Sequence, residues 1–277
     1  MKKGLVMALS LTLVLSFAAC GNNGTTGSSA SSEEVSSVAS ESKDDASVES
    51  TEEVSSETEN TDVAGETVMS YADYVAAELE SPVVIEAYVQ AHQSWWDNKI
   101  TVYAADEDGA YFIYNMTCSE EDSAKLVPGT KIKVTGYKTE WSGEVEIAEG
   151  ATFEIEDGSY IAEATDVTDL LGTDDLINYQ NQFVSFKGMT VEESEGGAAF
   201  LYNWDGSGSA DSNSDLYFNV SLNGQTYTFT VESYLCDNTT DVYKTVEGLK
   251  VGDVIDMEGF LYWYNGVNPH ITNVTVK

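Results

Sequence analysis

The residues best suited to chemistry in this 277-residue chain are its five tryptophans, which stand among polar side chains. Trp95 and Trp96 belong to segment 92–98 (HQSWWDN), and Trp141 follows Glu140. Flat aromatic rings stack on the C–H faces of a sugar or against a peptide, while amides and carboxylates beside them fix the ligand's orientation. We therefore predict a carbohydrate or peptide site. Its residues are Trp95, Trp96, Trp141, His92, Asn98, Trp204, Trp263 and Tyr264.

Groups suited to catalysis form no recognisable arrangement. His92 and His270 are the only two histidines, neither has a serine or cysteine partner in a familiar pattern, and we expect both to face solvent. Carboxylate pairs for glycoside hydrolysis cannot be singled out among 48 acidic residues. Cys118 and Cys236 lack an activating histidine nearby and are predicted to be free core thiols. The sequence thus predicts no catalytic residues and a protein that is not an enzyme.

One acidic segment has the oxygen spacing of a calcium-binding loop. Asp211, Asn213 and Asp215 occupy its first, third and fifth positions. The sixth position is Leu216 instead of glycine, and the twelfth is Leu222 instead of glutamate. We predict no metal and no cofactor, with an isolated Ca²⁺ site at these three residues as the alternative to a plain polar loop.

The charge of the chain restricts its partners. It has 48 acidic residues against 12 lysines and no arginine, which gives a formal net charge of -36. Bidentate recognition of phosphate depends on the guanidinium fork of arginine, and a strongly negative protein repels polyanions at long range. From these properties we expect no nucleic acid partner.

The first twenty residues carry an export signal. Lys2 and Lys3 precede an apolar run over 4–17, which is too short for a permanent membrane span, and Ala18-Ala19-Cys20-Gly21 follows. This ending resembles the lipobox of bacterial lipoproteins, with Phe17 in place of the usual leucine. The resemblance implies that Cys20 is lipidated and anchors the protein to the cell membrane at its extracytoplasmic face. The alternative is ordinary signal cleavage near Ala19.

Composition divides the remaining chain into a linker and two domains. Residues 21–67 are rich in Ser, Glu, Thr and Asp, contain no aromatic residue, and are predicted to be a disordered linker. Beyond it, segment 126–143 (LVPGTKIKVTGYKTEWSG) is repeated at 249–266 (LKVGDVIDMEGFLYWYNG). Gly136 then pairs with Gly259, Tyr137 with Phe260, and Trp141 with Tyr264. We predict two copies of one folding unit, at 68–158 and 159–277.

Each copy shows three strands, a short helix and two more strands. Helices are predicted from Ser70 to Pro82, over 119–126 and over 166–182, and Asn223-Gly224 predicts a hairpin turn. The predicted strands are 83–89, 99–104, 110–116, 130–138 and 144–148, then 184–188, 216–222, 225–234, 253–262 and 267–276. The strand order and the strand glycines resemble the OB-fold barrel. The fold class is therefore all-β with short helices, in two tandem five-stranded OB-like barrels.

The whole chain resembles bacterial surface lipoproteins with tandem OB-like domains, a group with no single activity. OB-folds bind across strands 2 and 3, between the loops joining strands 1 to 2 and strands 4 to 5, and all five tryptophans lie in or beside those loops. We expect a non-enzymatic cell-surface protein that binds a carbohydrate or peptide. The alternative is a structural or assembly module of the cell envelope, whose aromatic rims contact the other domain or another envelope protein.

Overall fold

The computed structural model describes residues 67–277, and both barrels belong to one compact unit. The signal segment 1–20, the lipidation residue Cys20 and nearly all of the linker 21–67 lie outside the described residues. In the part of the chain that is described, no helix is long and apolar enough to cross a membrane.

The first copy is a closed five-stranded barrel. Its elements are α1 (Tyr71–Ala76), β1 (Pro82–His92), β2 (Lys99–Ala105), β3 (Ala110–Thr117), α2 (Glu120–Ser123), β4 (Thr130–Trp141), β5 (Glu144–Ile147) and β6 (Thr152–Ser159). The barrel strands pair in the order β1-β2-β3-β5-β4, and pairing of β1 with β4 closes the barrel. The sixth strand pairs with β4, α1 precedes the barrel, and α2 joins β3 to β4.

The second copy repeats this topology. Its elements are β7 (Thr165–Asp166), β8 (Phe183–Glu192), β9 (Leu201–Tyr202), β10 (Leu216–Leu222), β11 (Gln225–Val231), α3 (Asp241–Glu247), β12 (Val254–Phe260) and β13 (His270–Val276). The barrel strands pair in the order β8-β12-β13-β11-β10, and pairing of β8 with β10 closes the barrel. The predicted fold class is confirmed: both copies are closed five-stranded barrels.

The glycines of the repeat allow strands to approach closely. A Cβ on Gly136 would lie 2.6 Å from Ile147 Cγ2, and one on Gly259 would lie 2.2 Å from the carbonyl oxygen of His270. Both distances are too short for real Cβ contacts, so only glycine fits where strand 4 of each barrel bends against strand 5. The repeated glycines therefore have an architectural role.

Three hydrophobic clusters hold the molecule together. Each barrel has its own buried core, and a third cluster joins the barrels. Tyr103 and Phe112 from the first barrel pack on Phe260 from the second, with ring centroids of Tyr103 and Phe260 4.5 Å apart. Aromatic residues thus do pack the barrels against each other, in a cluster that contains none of the predicted tryptophans.

The helix predicted from Ser70 to Pro82 ends early. Ser70 caps α1 as expected, with its Oγ accepting from Asp73 N, but the helix stops at Ala76. Lys138 caps this end, because its buried Nζ donates to the carbonyl oxygens of residues 74, 75 and 77, which lie where the regular helical hydrogen bonds stop. Tyr74 of this helix is buried in the first core, whereas Val75 and Leu79 are exposed.

Other boundaries also differ from the predictions. The helical segment predicted over 166–182 is present as two short 3-10 helices, Thr168–Leu170 and Asp174–Tyr179, instead of one continuous helix. The hairpin at Asn223-Gly224 is confirmed, with both residues at positive φ. Strand β4 continues three residues beyond its predicted end, to Trp141. Cys118 and Cys236 are buried free thiols, one in each barrel core.

Candidate functional site

The candidate site is an open cleft of about 830 Å³ between the two barrels, called the barrel cleft below. Its volume lies within the range of small-ligand sites. Aromatic side chains supply half of its lining and polar side chains the other half. The lining residues are Gln93, Trp96, Phe112, Tyr114, Asn115, Trp141, Glu146, Asp215, Tyr217, Thr230, Glu232, Tyr234, Tyr262, Tyr264, Asn268 and His270.

The surfaces that OB-folds use for binding face this cleft from both barrels. Phe112 and Tyr114 come from β3, while Tyr217 and Thr230 come from β10 and β11, which are strands 2 and 3 of the second copy. Two backbone hydrogen bonds join the barrels: one runs from Ser94 N to Tyr234 O, and one from Asn265 N to Ser142 O, each at 2.7 Å. The cleft is therefore built by the tandem arrangement and not by one barrel alone.

Two of the predicted tryptophans reach the cleft beside tight turns. Trp96 bridges to Lys99 across Asp97 and Asn98, and Trp141 pairs with Glu144 across Ser142 and Gly143. All four turn residues have positive φ, as two-residue hairpin turns of type I′ require. Each turn leaves its tryptophan more than half exposed at the rim.

The structure brings together only some of the predicted site residues. Trp96, Trp141 and Tyr264 line the cleft; His92, Asn98, Trp95, Trp204 and Trp263 do not. Trp95 packs on the first core, and its indole N–H donates to Cys118 O at 2.9 Å. Trp263 packs on the second core and beside Gly143, while Trp204 is 76% exposed elsewhere.

The expectation that both histidines face solvent is wrong. His92 is partly buried, with Nδ1 2.8 Å from Gln93 O. His270 is buried at the floor of the cleft, where Nδ1 lies 2.6 Å from the hydroxyl oxygen of Tyr103 and the ring stacks on Tyr262. Burial lowers the pKa of His270 to about 3, so the imidazole is neutral at pH 7. This histidine joins the barrels as an uncharged aromatic group.

Two carboxyl groups in the cleft have pKa values far above the usual range. Burial raises the pKa of Glu146 to about 7 and that of Glu232 to about 7. Glu232 accepts hydrogen bonds from Gln93 Nε2 at 3.1 Å and from the backbone N–H groups of Tyr234 and Leu235. Glu146 is only 6% exposed and has no hydrogen-bond donor among residues 67–277.

A third buried carboxyl, Glu144, lies at the contact of the barrels. Its Oε2 accepts from Trp263 N at 2.8 Å and from Gln180 Nε2 at 3.3 Å, both in the second copy. Its Oε1 and the Oδ1 of neighbouring Asn181 are buried acceptors without a donor in the described chain. Burial raises the pKa of Glu144 to about 8, so this carboxyl is largely protonated at pH 7.

At the predicted calcium-binding loop, the side-chain oxygens of Asn213 and Asp215 accept hydrogen bonds from other groups of the chain. Asp215 Oδ1 accepts from the backbone N–H and the hydroxyl of Ser233, and Asn213 Oδ1 accepts from Asn238 N. Among residues 67–277, no group of three histidine, cysteine or acidic side chains could hold a metal ion. Asn213 and Asp215 therefore stabilise the loop through hydrogen bonds to Asn238 and Ser233.

The sequence-based prediction missed the inner residues of the cleft, mainly Glu146, Glu232, Tyr262 and His270. One local signal was present: in segment 144–147 (EVEI) two glutamates alternate, so both point to one side of β5. Nothing local indicates that this side is covered by a second barrel. The tertiary arrangement makes these residues a site.

No protein-family model matches the chain, and no curated protein matches it. Solved structures match at low identity. The tetrameric p202 HIN2 is 12% identical, covering 72% of this chain and 96% of its own, with a TM-score of 0.31. A murine DNA-binding protein bound to double-stranded DNA is 11% identical (71% and 96% covered, TM-score 0.35). Ifi202 HINa in complex with 20-bp double-stranded DNA is 14% identical (72% and 96%, TM-score 0.31).

The fold defines the chain as a protein of two tandem OB-like barrels. Our expectation that it takes no nucleic acid partner is corrected here, because three of the similar structures are complexes with double-stranded DNA. A net charge of -36 describes the average field of the whole chain, and such an average does not exclude a local contact with a polyanion. Likenesses at TM-scores of 0.30 to 0.35 assign no ligand to this chain.

Proposed function

We propose that this is a non-enzymatic binding protein of the bacterial cell surface, anchored through Cys20, that takes a carbohydrate or peptide ligand in the barrel cleft. One observation carries the proposal: rings from both barrels, Trp96, Trp141 and Tyr264, stand more than half exposed around one open cleft. Large exposed rings around a concave surface mark ligand and interaction sites.

The repeat supports this assignment. Trp141 and Tyr264 occupy equivalent positions in the two copies, and both line the cleft. Buried polar groups beneath them, including Glu146 and Glu232, supply the few fixed hydrogen-bonding atoms that orient a ligand. Trp95, Trp204, Trp263, His92 and Asn98 are left out of the proposed contact set because they lie outside the cleft.

Intrinsic tryptophan fluorescence tests the proposal on the full chain, titrated with a panel of neutral oligosaccharides and short peptides. We expect a saturable change for at least one member, and we expect Trp96→Ala or Trp141→Ala to weaken that binding at least about tenfold. Trp204→Ala is the matched control, because this ring is 76% exposed outside the cleft, and it should leave the affinity unchanged. Absence of any saturable change across the panel would refute the proposal.

Product analysis of the same mixtures tests the alternative that the protein is an enzyme. Carboxyls with raised pKa values also occur in active sites. Cleavage of an oligosaccharide or peptide that disappears in Glu146→Gln would replace binding by hydrolysis as the function of the cleft.

The second candidate is the structural or assembly module, and the aromatic cluster of Tyr103, Phe112 and Phe260 between the barrels favours it. If the protein is a structural module, Trp96 and Trp141 at the rim of the cleft should also contribute to its stability. Truncating a fully buried aromatic side chain costs roughly 3–5 kcal/mol. Trp141 is 58% exposed, so on the binding proposal Trp141→Ala changes the melting temperature little. A loss of several kcal/mol would favour the structural module.

A further inference from the structure

Resting on the proposed function, we propose that the ligand is a peptide with a basic side chain, lysine or arginine, whose cation enters the barrel cleft and pairs with Glu146 and Glu232.

The strongest observation is the carboxyl group of Glu146. It lines the cleft, it is 6% exposed, and no described residue donates a hydrogen bond to it. Its oxygens are not among the fully buried unpaired atoms of the described chain, so they are reached from the cleft and are solvated there until a partner binds. A cation arriving through the cleft would provide the missing partner.

The charge of the cleft selects the same kind of ligand. Three carboxyl side chains, Glu146, Asp215 and Glu232, line it, and no lysine does among the described residues. Buried His270 does not offset them, because its ring is neutral at pH 7. Glu232 is held in place by Gln93 and two backbone N–H groups, which positions its charge before a ligand binds.

The aromatic walls suit the rest of a basic side chain. Lysine and arginine bury apolar stems against rings, and their charged ends are attracted to ring faces within about 6 Å. The rim already shows such a contact, since Lys99 Nζ lies 5.6 Å from the centre of the Trp96 ring. The charge of Lys99 is paired with Glu149, so it does not neutralise the cleft.

This pairing makes affinity depend on pH in a defined direction. A cation binds the ionised carboxylates, and burial holds the pKa of both Glu146 and Glu232 near 7. Affinity should therefore rise between pH 6 and pH 8. The titratable groups close to Glu146 and Glu232 include Tyr74, Tyr103, Glu144, Asp215, Tyr217, Cys236, Tyr262 and His270. The tyrosines, cysteine and histidine keep one charge state from pH 6 to pH 8. Glu144, with a pKa of about 8, titrates in the same range, and the Glu144→Gln variant removes its contribution to the pH dependence.

Isothermal titration calorimetry of the full chain with two pentapeptides, both capped at their termini, tests the inference. The peptides are Gly-Tyr-Lys-Tyr-Gly and the same sequence with norleucine in place of lysine, which removes only the charge. At pH 8 we expect the lysine peptide to bind at least about tenfold more tightly, as a desolvated cation site requires. Glu146→Gln should remove this preference. Glu140→Gln, an exposed glutamate beside the rim but outside the cleft, should keep it.

A second measurement needs no variant and so does not depend on the folding of Glu146→Gln. At pH 7 the cation should drive ionisation of the two half-protonated carboxyls. Titrations in two buffers of different ionisation enthalpy should then show release of about half a proton per carboxyl engaged. The norleucine peptide should release none.

The outcomes separate the inference from the function on which it rests. Equal binding of both peptides, or tighter binding of a neutral oligosaccharide, would overturn the basic-peptide inference and leave the binding function in place. A 20-bp DNA duplex that binds wild type and loses affinity in Trp96→Ala would overturn it in favour of nucleic acid. Binding of no probe at all would overturn both.

Discussion

Replacing Glu144 by glutamine should make the protein more stable at alkaline pH. Glu144 is fully buried where the barrels meet, with the Asn181 side chain close to its carboxyl group; Glu144 Oε1 and Asn181 Oδ1 are both buried acceptors without a donor in the described chain. A protonated carboxyl supplies one donor to this pair of acceptors, and deprotonation removes it. The glutamine amide supplies a donor at every pH while its oxygen still accepts from Trp263 N and Gln180. The variant therefore preserves the contact and removes the titration.

The magnitude follows from linkage. The folded-state pKa of Glu144, about 8, lies above the ordinary value of 4.5, so its contribution to stability is complete below pH 4.5 and is lost as pH rises through 8. One such group changes the free energy of unfolding by about 1.4 kcal/mol per pH unit within that window. Between pH 5 and pH 8 this group alone accounts for a loss of a few kcal/mol, which Glu144→Gln should lack. The variant should keep the smaller slope that comes from Glu146 and Glu232, whose pKa values of about 7 are also raised.

Urea unfolding followed by tryptophan fluorescence at pH 5, 6, 7 and 8 measures this slope. Wild type and variant should be close in stability at pH 5, and the variant should be the more stable at pH 8. Glu154→Gln, an exposed glutamate on β6, controls for the change in net charge and should keep the wild-type slope. A Glu144→Gln variant with an unchanged slope, or one less stable than wild type at pH 8, would refute the reasoning.

Two further predictions concern stability. Gly259→Ala should cost at least about 3 kcal/mol, because its Cβ would meet the backbone of β13, whereas Gly224→Ala, with φ +82 and open space around it, should cost only about 1 kcal/mol; thermal unfolding of both variants decides. Lys138→Met should cost about 2–4 kcal/mol by leaving three carbonyl oxygens at the end of α1 without their charged donor. Lys133→Met on the same strand is its control, and equal losses in the two lysine variants would contradict the prediction.

The barrels could be predicted because the required signals are local. The alternation around Ile132 and Val134, the repeated glycines and the Asn223-Gly224 turn each favour the same structure that the tertiary contacts stabilise. The length of α1 could not be predicted this way. The carbonyl oxygens at its end are capped by Lys138, more than sixty residues away in sequence, and no pattern near Ser70 indicates this contact.

The rim of the site could be predicted, but its interior could not. Trp96 and Trp141 are visible in sequence because large rings beside polar turn residues are unusual there. Glu146 and His270 look like ordinary strand residues, and their burial follows from the second barrel lying over the first. The sequence also could not show that Trp95 and Trp263 pack against the barrel cores instead of lining the cleft.

The cluster between the barrels joins surfaces that are not equivalent in the two copies. Phe260 is buried against Tyr103, whereas its counterpart Tyr137 in the first copy is 58% exposed. If the copies arose by duplication, equivalent positions such as Tyr137 and Phe260 were under different selection from the beginning, because only one of the two lies in the contact between the barrels. Divergence between the two halves is then a consequence of how they were joined, and the few positions that stayed alike, such as Gly136 and Gly259, report what the barrel itself requires.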